Sequence, residues 1–255
     1  MTEQKKYIKN LEVNYKIIEK NRPFSASRQV FLILHGWGSS SDRWQETANL
    51  LAEKGIKVVI PDLPGFGKSQ NPKKPWELED YSDFVEKFVR FLNLEKFYLL
   101  GHSFGGAIAV KYALKNPDLV KKLFLAGASL IRKKSLKKKF FFIFSKIFKF
   151  FSYIPFFKKV FYKFIVRSDY PQTKGVMRKT YLNIIKEDLS DQLKNIKIPS
   201  IIIWGEKDNI VSLKCGKKIK SKIKNSKLII ISNGGHDLER KNPKELSGIM
   251  SELIL

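Results

Sequence analysis

Short, mainly apolar runs of strand length alternate with amphipathic stretches along most of the chain. Residues 30–34, 56–60, 96–100, 120–126, 199–204 and 226–231 are runs of five to seven residues, typified by Val30-Phe31-Leu32-Ile33-Leu34. A continuous apolar run such as Val30–Leu34 predicts a strand covered on both faces, and the other stretches read as further strands. Between them, the spacing of apolar positions predicts helices over about 43–54, 80–94, 107–114, 214–224 and 243–253. In the first of these, Ser41 or Asp42 is placed to cap, Trp44, Leu50 and Leu51 face inward, and Gly55 ends the helix. Residues 7–18 alternate loosely, which predicts a hairpin or two edge strands. Arg22-Pro23-Phe24-Ser25 and Asn116-Pro117-Asp118 read as turns. Strands alternating with helices predict an α/β fold: a mostly parallel sheet of about eight strands with helices on both faces.

The pattern breaks between Leu130 and Glu187. Alternation stops, and Lys and Phe crowd the segment, as in Lys137-Lys138-Lys139-Phe140-Phe141-Phe142. Asp169 is the only acid from 130 to 170. Apolar clusters with a lysine every few residues predict amphipathic helices, interrupted at Pro155. The chain therefore divides into a core, 1–129 and 191–255, and an inserted unit, 130–190. Two readings of the insertion stand open. Its aromatics pack inward beneath a solvated lysine face, or some of them engage an anionic membrane surface or an acidic acyl carrier.

Charge sharpens that choice without deciding it. The chain has 255 residues, 49 Lys and Arg against 24 Asp and Glu, and a net charge of +25. Such a chain attracts anionic partners, although the preference for Lys over Arg also fits the compositional bias of an AT-rich genome. No nucleic-acid module is recognisable, so a nucleic-acid partner is not expected. The polar start, Met1-Thr2-Glu3-Gln4-Lys5-Lys6, has no apolar stretch after it and does not read as a signal peptide. No uncharged apolar run approaches the roughly 18 residues of a spanning helix. Cys215 is the single cysteine. It permits no internal disulfide, reads as a bystander on a basic helix, and suits a cytoplasmic location, peripheral to a membrane if the insertion binds one. Three histidines and one cysteine without close spacing predict no metal site, and no cofactor is expected.

The chemistry concentrates at Gly101-His102-Ser103-Phe104-Gly105-Gly106, between a predicted strand and a predicted helix. Strand, G-x-S-x-G, helix is the context of a nucleophile elbow, in which a sharp turn lifts the serine hydroxyl clear of the sheet. A serine hydroxyl needs a base, and the base needs an acid to hold its tautomer. Of the three histidines, His102 adjoins Ser103 and reads as a packing residue, while His35 reads as a brace for the glycine loop after its strand. His236 follows the last strand and Gly234-Gly235, where a loop can carry an imidazole back over Ser103. Asp208, just past the strand ending at Trp204, is the candidate acid, with Glu206 its rival. His35, Ser103, Asp208 and His236 each follow a predicted strand, so all reach the carboxyl edge of the sheet. Negative charge developing on a carbonyl oxygen needs backbone donors. The amides of Phe104 and Trp37, the latter in His35-Gly36-Trp37-Gly38, are the candidates.

These motifs, with Pro61-Asp62-Leu63-Pro64-Gly65-Phe66-Gly67-Lys68-Ser69, resemble an α/β-hydrolase-fold serine hydrolase. The resemblance covers nearly all of the chain outside 130–190. It implies a Ser103–Asp208–His236 triad, an oxyanion hole at Trp37 and Phe104, and a helical lid at 130–190, inserted after the strand that follows the elbow. Serine at 103 separates the chain from relatives with an aspartate nucleophile, the haloalkane dehalogenases and most epoxide hydrolases. The His35–Gly38 loop is similar to that of carboxylesterases acting on pimeloyl-carrier-protein methyl esters. The implied activity is hydrolysis of a small apolar ester through an acyl-enzyme. A thioester, lactone, amide or C–C bond, a lipid surface, or ligand binding without turnover suits the same residues.

Overall fold

The computed structural model describes residues 1–20, 29–132 and 174–254. Eight strands form one sheet: β1 (Thr2–Ile8), β2 (Leu11–Ile18), β3 (Val30–Leu34), β4 (Lys57–Pro61), β5 (Phe97–His102), β6 (Val120–Ala126), β7 (Ser200–Gly205) and β8 (Ser226–Ile231). Their order is β1-β2-β4-β3-β5-β6-β7-β8. The β1–β2 hairpin and the β2–β4 pairing are antiparallel, and every pairing from β4 to β8 is parallel.

Side-chain alternation explains why the central strands read as solid apolar runs. Along β5, Phe97 and Leu99 enter one hydrophobic cluster while Tyr98 and Leu100 enter the other. Along β3, Leu32 and Leu34 face the first cluster, and Phe31 and Ile33 the second. The period of two is present, but both faces are covered, so no polar position marks it. Helices α1 (Gln45–Glu53) and α7 (Pro243–Glu252) pack together on the second cluster, through Ala48, Leu51, Leu246 and Met250. On the first cluster, α2 (Leu78–Phe91) packs against α3 (Phe104–Lys115), and α5 (Leu213–Lys222) contributes Ile219.

Several local expectations change. Before α1, residues Ser41–Trp44 form a 3-10 turn with no side-chain cap. Ser41 instead gives its amide to Asp62 Oδ1 at 2.6 Å, and Asp42 pairs with the buried Lys16 ammonium. Trp44 and Leu51 are buried, whereas Leu50 is half-buried. Helix α2 starts earlier than its apolar spacing suggests, because the Asp80 carboxylate accepts the Glu77 amide at 2.9 Å and closes its first turn. A short helix, α6 (Leu238–Lys241), precedes α7; one turn is too short to show periodicity. The expected turn at 22–25 lies outside the described residues.

Most of the insertion, 133–173, also lies outside them, and with it the basic and aromatic surface read from sequence. Its neck is described. Arg132, on the way out, gives its guanidinium to Ser129 Oγ, Ile184 O and Glu187 O at 2.8, 3.2 and 3.0 Å. Its amide donates to Asp188 Oδ2 at 3.2 Å, and the Leu189 amide donates to Leu130 O at 3.0 Å. The outgoing and returning chains are thus clasped at one point, where α4 (Gly175–Ile184) rejoins the core. No helix among the described residues is long and apolar enough to cross a membrane.

Candidate active site

Ser103 sits between β5 and α3 at φ 51° and ψ −112°, a conformation that costs an L-residue about 1–3 kcal/mol. The surroundings hold it there. The Ser103 amide donates to Ala126 O at 3.0 Å, and the Ser103 carbonyl accepts from Gly106 and Ser129 at 3.1 and 3.0 Å. The turn closes because its neighbours lack side chains. A Cβ on Gly101 would meet Gly105 O at 2.4 Å, and one on Gly105 would meet Leu34 O at 2.1 Å.

Asp208 and His236 come from the ends of the adjacent strands β7 and β8. Their loops are tied by the Lys207 amide to Gly234 O at 2.8 Å, the Glu206 amide to Ile231 O at 3.0 Å, and the Asn233 amide to Glu206 Oε2 at 3.1 Å. Glu206, the rival acid, therefore serves as a loop tie. Asp208 is buried; its Oδ1 accepts the Ile210 and Val211 amides at 2.9 and 2.8 Å, and its Oδ2 lies 2.7 Å from His236 Nδ1. A carboxylate so supplied only accepts, so Nδ1 carries a proton. Gly127, at φ 51°, passes beneath this pair: a Cβ there would stand 3.2 Å from His236 Nδ1. Ser103 Oγ makes no hydrogen bond to His236 among the described residues.

The glycine loop after β3 is fixed by His35. Its Nε2 accepts the Leu63 amide at 2.9 Å, and its Nδ1 lies 2.8 Å from Gly36 O, so the proton is on Nδ1. One imidazole thus joins this loop to the loop at 61–69. Asp62, also buried, holds the latter through Asn14 Nδ2 and the Lys68 amide at 3.0 and 2.9 Å. Among the described residues, neither the Trp37 nor the Phe104 amide is donated to a protein acceptor. Their side chains pack edge to face at 5.3 Å, joined by Phe66 at 4.8 Å and Tyr181 of α4 at 5.1 Å from Trp37. Nothing local in the sequence marks Tyr181 as the aromatic that returns to the glycine loop after β3. A polar cavity of about 530 Å³ opens beside His236, lined among others by Lys207, Asn209, Asn233 and Lys241.

Burial pushes both His35 and His102 down to about 4. The sign follows directly. From pH 6.5 to about 4 the unfolded chain binds two protons that the folded chain refuses, so stability falls as pH falls through that window. Glu239, raised by burial, works in the opposite direction and offsets part of the loss. Denaturant unfolding across this window is expected to show a slope between one and two protons, about 1.4–2.7 kcal/mol per pH unit. His102→Gln should remove about half of the histidine contribution. Stability that is flat or rises on acidification would contradict the buried neutral histidines.

The family model described as alpha/beta hydrolase fold matches residues 29–169 and 135–238. The uncharacterized hydrolase YugF of Bacillus subtilis (strain 168) is 26% identical, over 89% of this chain and 90% of its own length. Lipase 1 of Psychrobacter immobilis is 28% identical, over 82% of this chain and 71% of its own. Among solved structures, the esterase of Exiguobacterium antarcticum aligns with a TM-score of 0.76 at 20% identity, covering 99% of both chains.

Proposed function

The chain belongs to the α/β-hydrolase family and is a hydrolase, and on that premise we propose that it cleaves a carboxylic ester with an apolar acyl part through an acyl-enzyme on Ser103. His236 Nε2 takes the Ser103 proton as Oγ attacks the carbonyl carbon. Asp208 keeps the imidazole in the reactive tautomer and stabilises its cation. The amides of Trp37 and Phe104 receive the oxyanion. His236 then returns the proton to the leaving alcohol, the ester C–O bond breaks, and the acyl group remains on Oγ. A water deprotonated by the same nitrogen releases the acid and restores the serine.

The observation that carries this reading is the 2.7 Å Asp208–His236 contact at the strand ends beside a serine held at φ 51°. The cluster of aromatic rings formed by Trp37, Phe66, Phe104 and Tyr181 next to the Trp37 and Phe104 amides supports an apolar acyl chain. A lipase and an esterase among the similar proteins point the same way. We further propose that 130–190, most of which lies outside the described residues, acts as a lid. The test is hydrolysis of p-nitrophenyl esters from acetyl to palmitoyl. Turnover with an optimum beyond acetyl is expected; no turnover at any chain length would overturn the ester assignment.

A further inference from the structure

His102 is buried at the end of β5, one residue before Ser103, and its Nε2 lies 3.0 Å from the main-chain carbonyl of His236. A carbonyl only accepts, so this nitrogen must be N–H. Nδ1 is then an acceptor. It has no partner among the described residues and faces Gly36, where a Cβ would stand 3.2 Å away. The His102 ring is enclosed by Trp44 at 5.8 Å and by the ring of His236 at 4.9 Å, between centroids.

The groups behind it are charged but distant. Glu239 Oε2, buried and without a hydrogen bond, is 3.9 Å from His102 Nε2, too far to compete for its proton. Arg43 engages Glu239 Oε1 at 3.4 Å and Asp237 Oδ2 at 3.5 Å. After burial, the charge of His236 most disfavours a proton on His102, and the His236 carbonyl, Asp237 and Asp208 favour one. The His236 carbonyl also accepts the Leu238 amide at 3.0 Å. That bond spans two residues and travels with the loop. The bond from His102 instead crosses 134 positions of sequence and ties the loop to the nucleophile's own strand.

We propose that His102 is a positioning residue: its neutral imidazole donates Nε2–H to the His236 carbonyl and fixes the base relative to Ser103. The proposal rests on the serine hydrolase reading above. Misplacing a catalytic group by about 1 Å costs up to about 10²-fold. His102→Phe keeps the ring and removes the donor. It should lower kcat about 10–100-fold with KM within about twofold. In His102→Gln the side-chain amide reaches as far as Nε2 and should restore most of that kcat. Wild-type kcat in His102→Phe, or equal losses in both variants, would overturn the proposal. A second measurement does not depend on turnover. With three histidines in the chain, ring-nitrogen NMR of uniformly ¹⁵N-labelled protein resolves each tautomer. His102 should be Nε2–H at neutral pH; the Nδ1–H form would overturn the proposal. An absence of ester turnover in the wild type would sink the ester assignment, and the tautomer would then decide the role of His102 alone.

Discussion

Ser103→Ala is expected to lower kcat by up to about 10⁶ while leaving the fold standing. On the proposed mechanism the loss is large because the variant removes the atom that bonds to carbon, and neither the proposed base nor the proposed oxyanion donors can substitute for it. Water must then attack directly. In the proposed mechanism it is helped only by the Trp37 and Phe104 amides, which leave a residual rate of about 10³–10⁴ over the uncatalysed reaction. The fold survives because alanine at φ 51° bears the same backbone strain as serine, and the ties at Ala126, Gly106 and Ser129 are main-chain bonds. Ser103→Gly should be equally inactive yet about 1 kcal/mol more stable, since glycine tolerates the positive φ. Turnover of p-nitrophenyl esters measured beside thermal unfolding separates the two effects. Unchanged kcat in Ser103→Ala would remove Ser103 from the mechanism.

Gly105→Ala is expected to be the most damaging single methyl in the molecule. Its Cβ would stand 2.1 Å from Leu34 O and 2.6 Å from His35 O. Both are main-chain atoms at the end of β3, which is locked between β4 and β5 by parallel pairing. No side chain can swing aside, so α3 must lift from the sheet that it covers. Overpacking against side chains costs about 1–3 kcal/mol; against this backbone the loss should exceed about 3 kcal/mol. At roughly 2–4 °C per kcal/mol for a chain of this size, the melting temperature should drop by about 10 °C, or the protein should fail to accumulate. Gly248→Ala is the matched control. Gly248 lies in α7 with nothing within 4 Å of its would-be Cβ, so alanine should add up to about 1 kcal/mol through helix propensity. Comparable melting temperatures for the two variants would refute the close packing of elbow on β3.

What the sequence reveals, and what it hides, follows from burial. The central strand β3 is legible at 30–34 because two covered faces leave no polar interruption; β6 and β8 also fall at 120–126 and 226–231, although β6 carries Lys121 and Lys122 and β8 is a partly exposed edge strand. Strand β1 begins five residues before its first expected position because it is an edge strand, exposed from Thr2 to Tyr7, and exposed edges tolerate polar residues. At the site, chain order and strand ends suffice to bring Asp208 and His236 together, since β7 and β8 are neighbours. Long-range polar contacts are invisible in a linear reading. Arg132 looks like one more cation of a basic segment, yet its guanidinium clasps the neck of the insertion. Glu239 looks like a surface acid on a short helix and is buried behind the elbow. His102 was legible as a packing residue, but its bond to a carbonyl 134 positions away was not.

The proposed mechanism stands on Ser103 as the activated nucleophile. The most direct measurement is reaction of the wild-type protein with a fluorophosphonate probe, followed by peptide mass spectrometry. The expected result is one adduct, on the peptide bearing Ser103, lost in Ser103→Ala and strongly slowed in His236→Ala. No adduct, or an adduct on another serine that persists in Ser103→Ala, would contradict the claim.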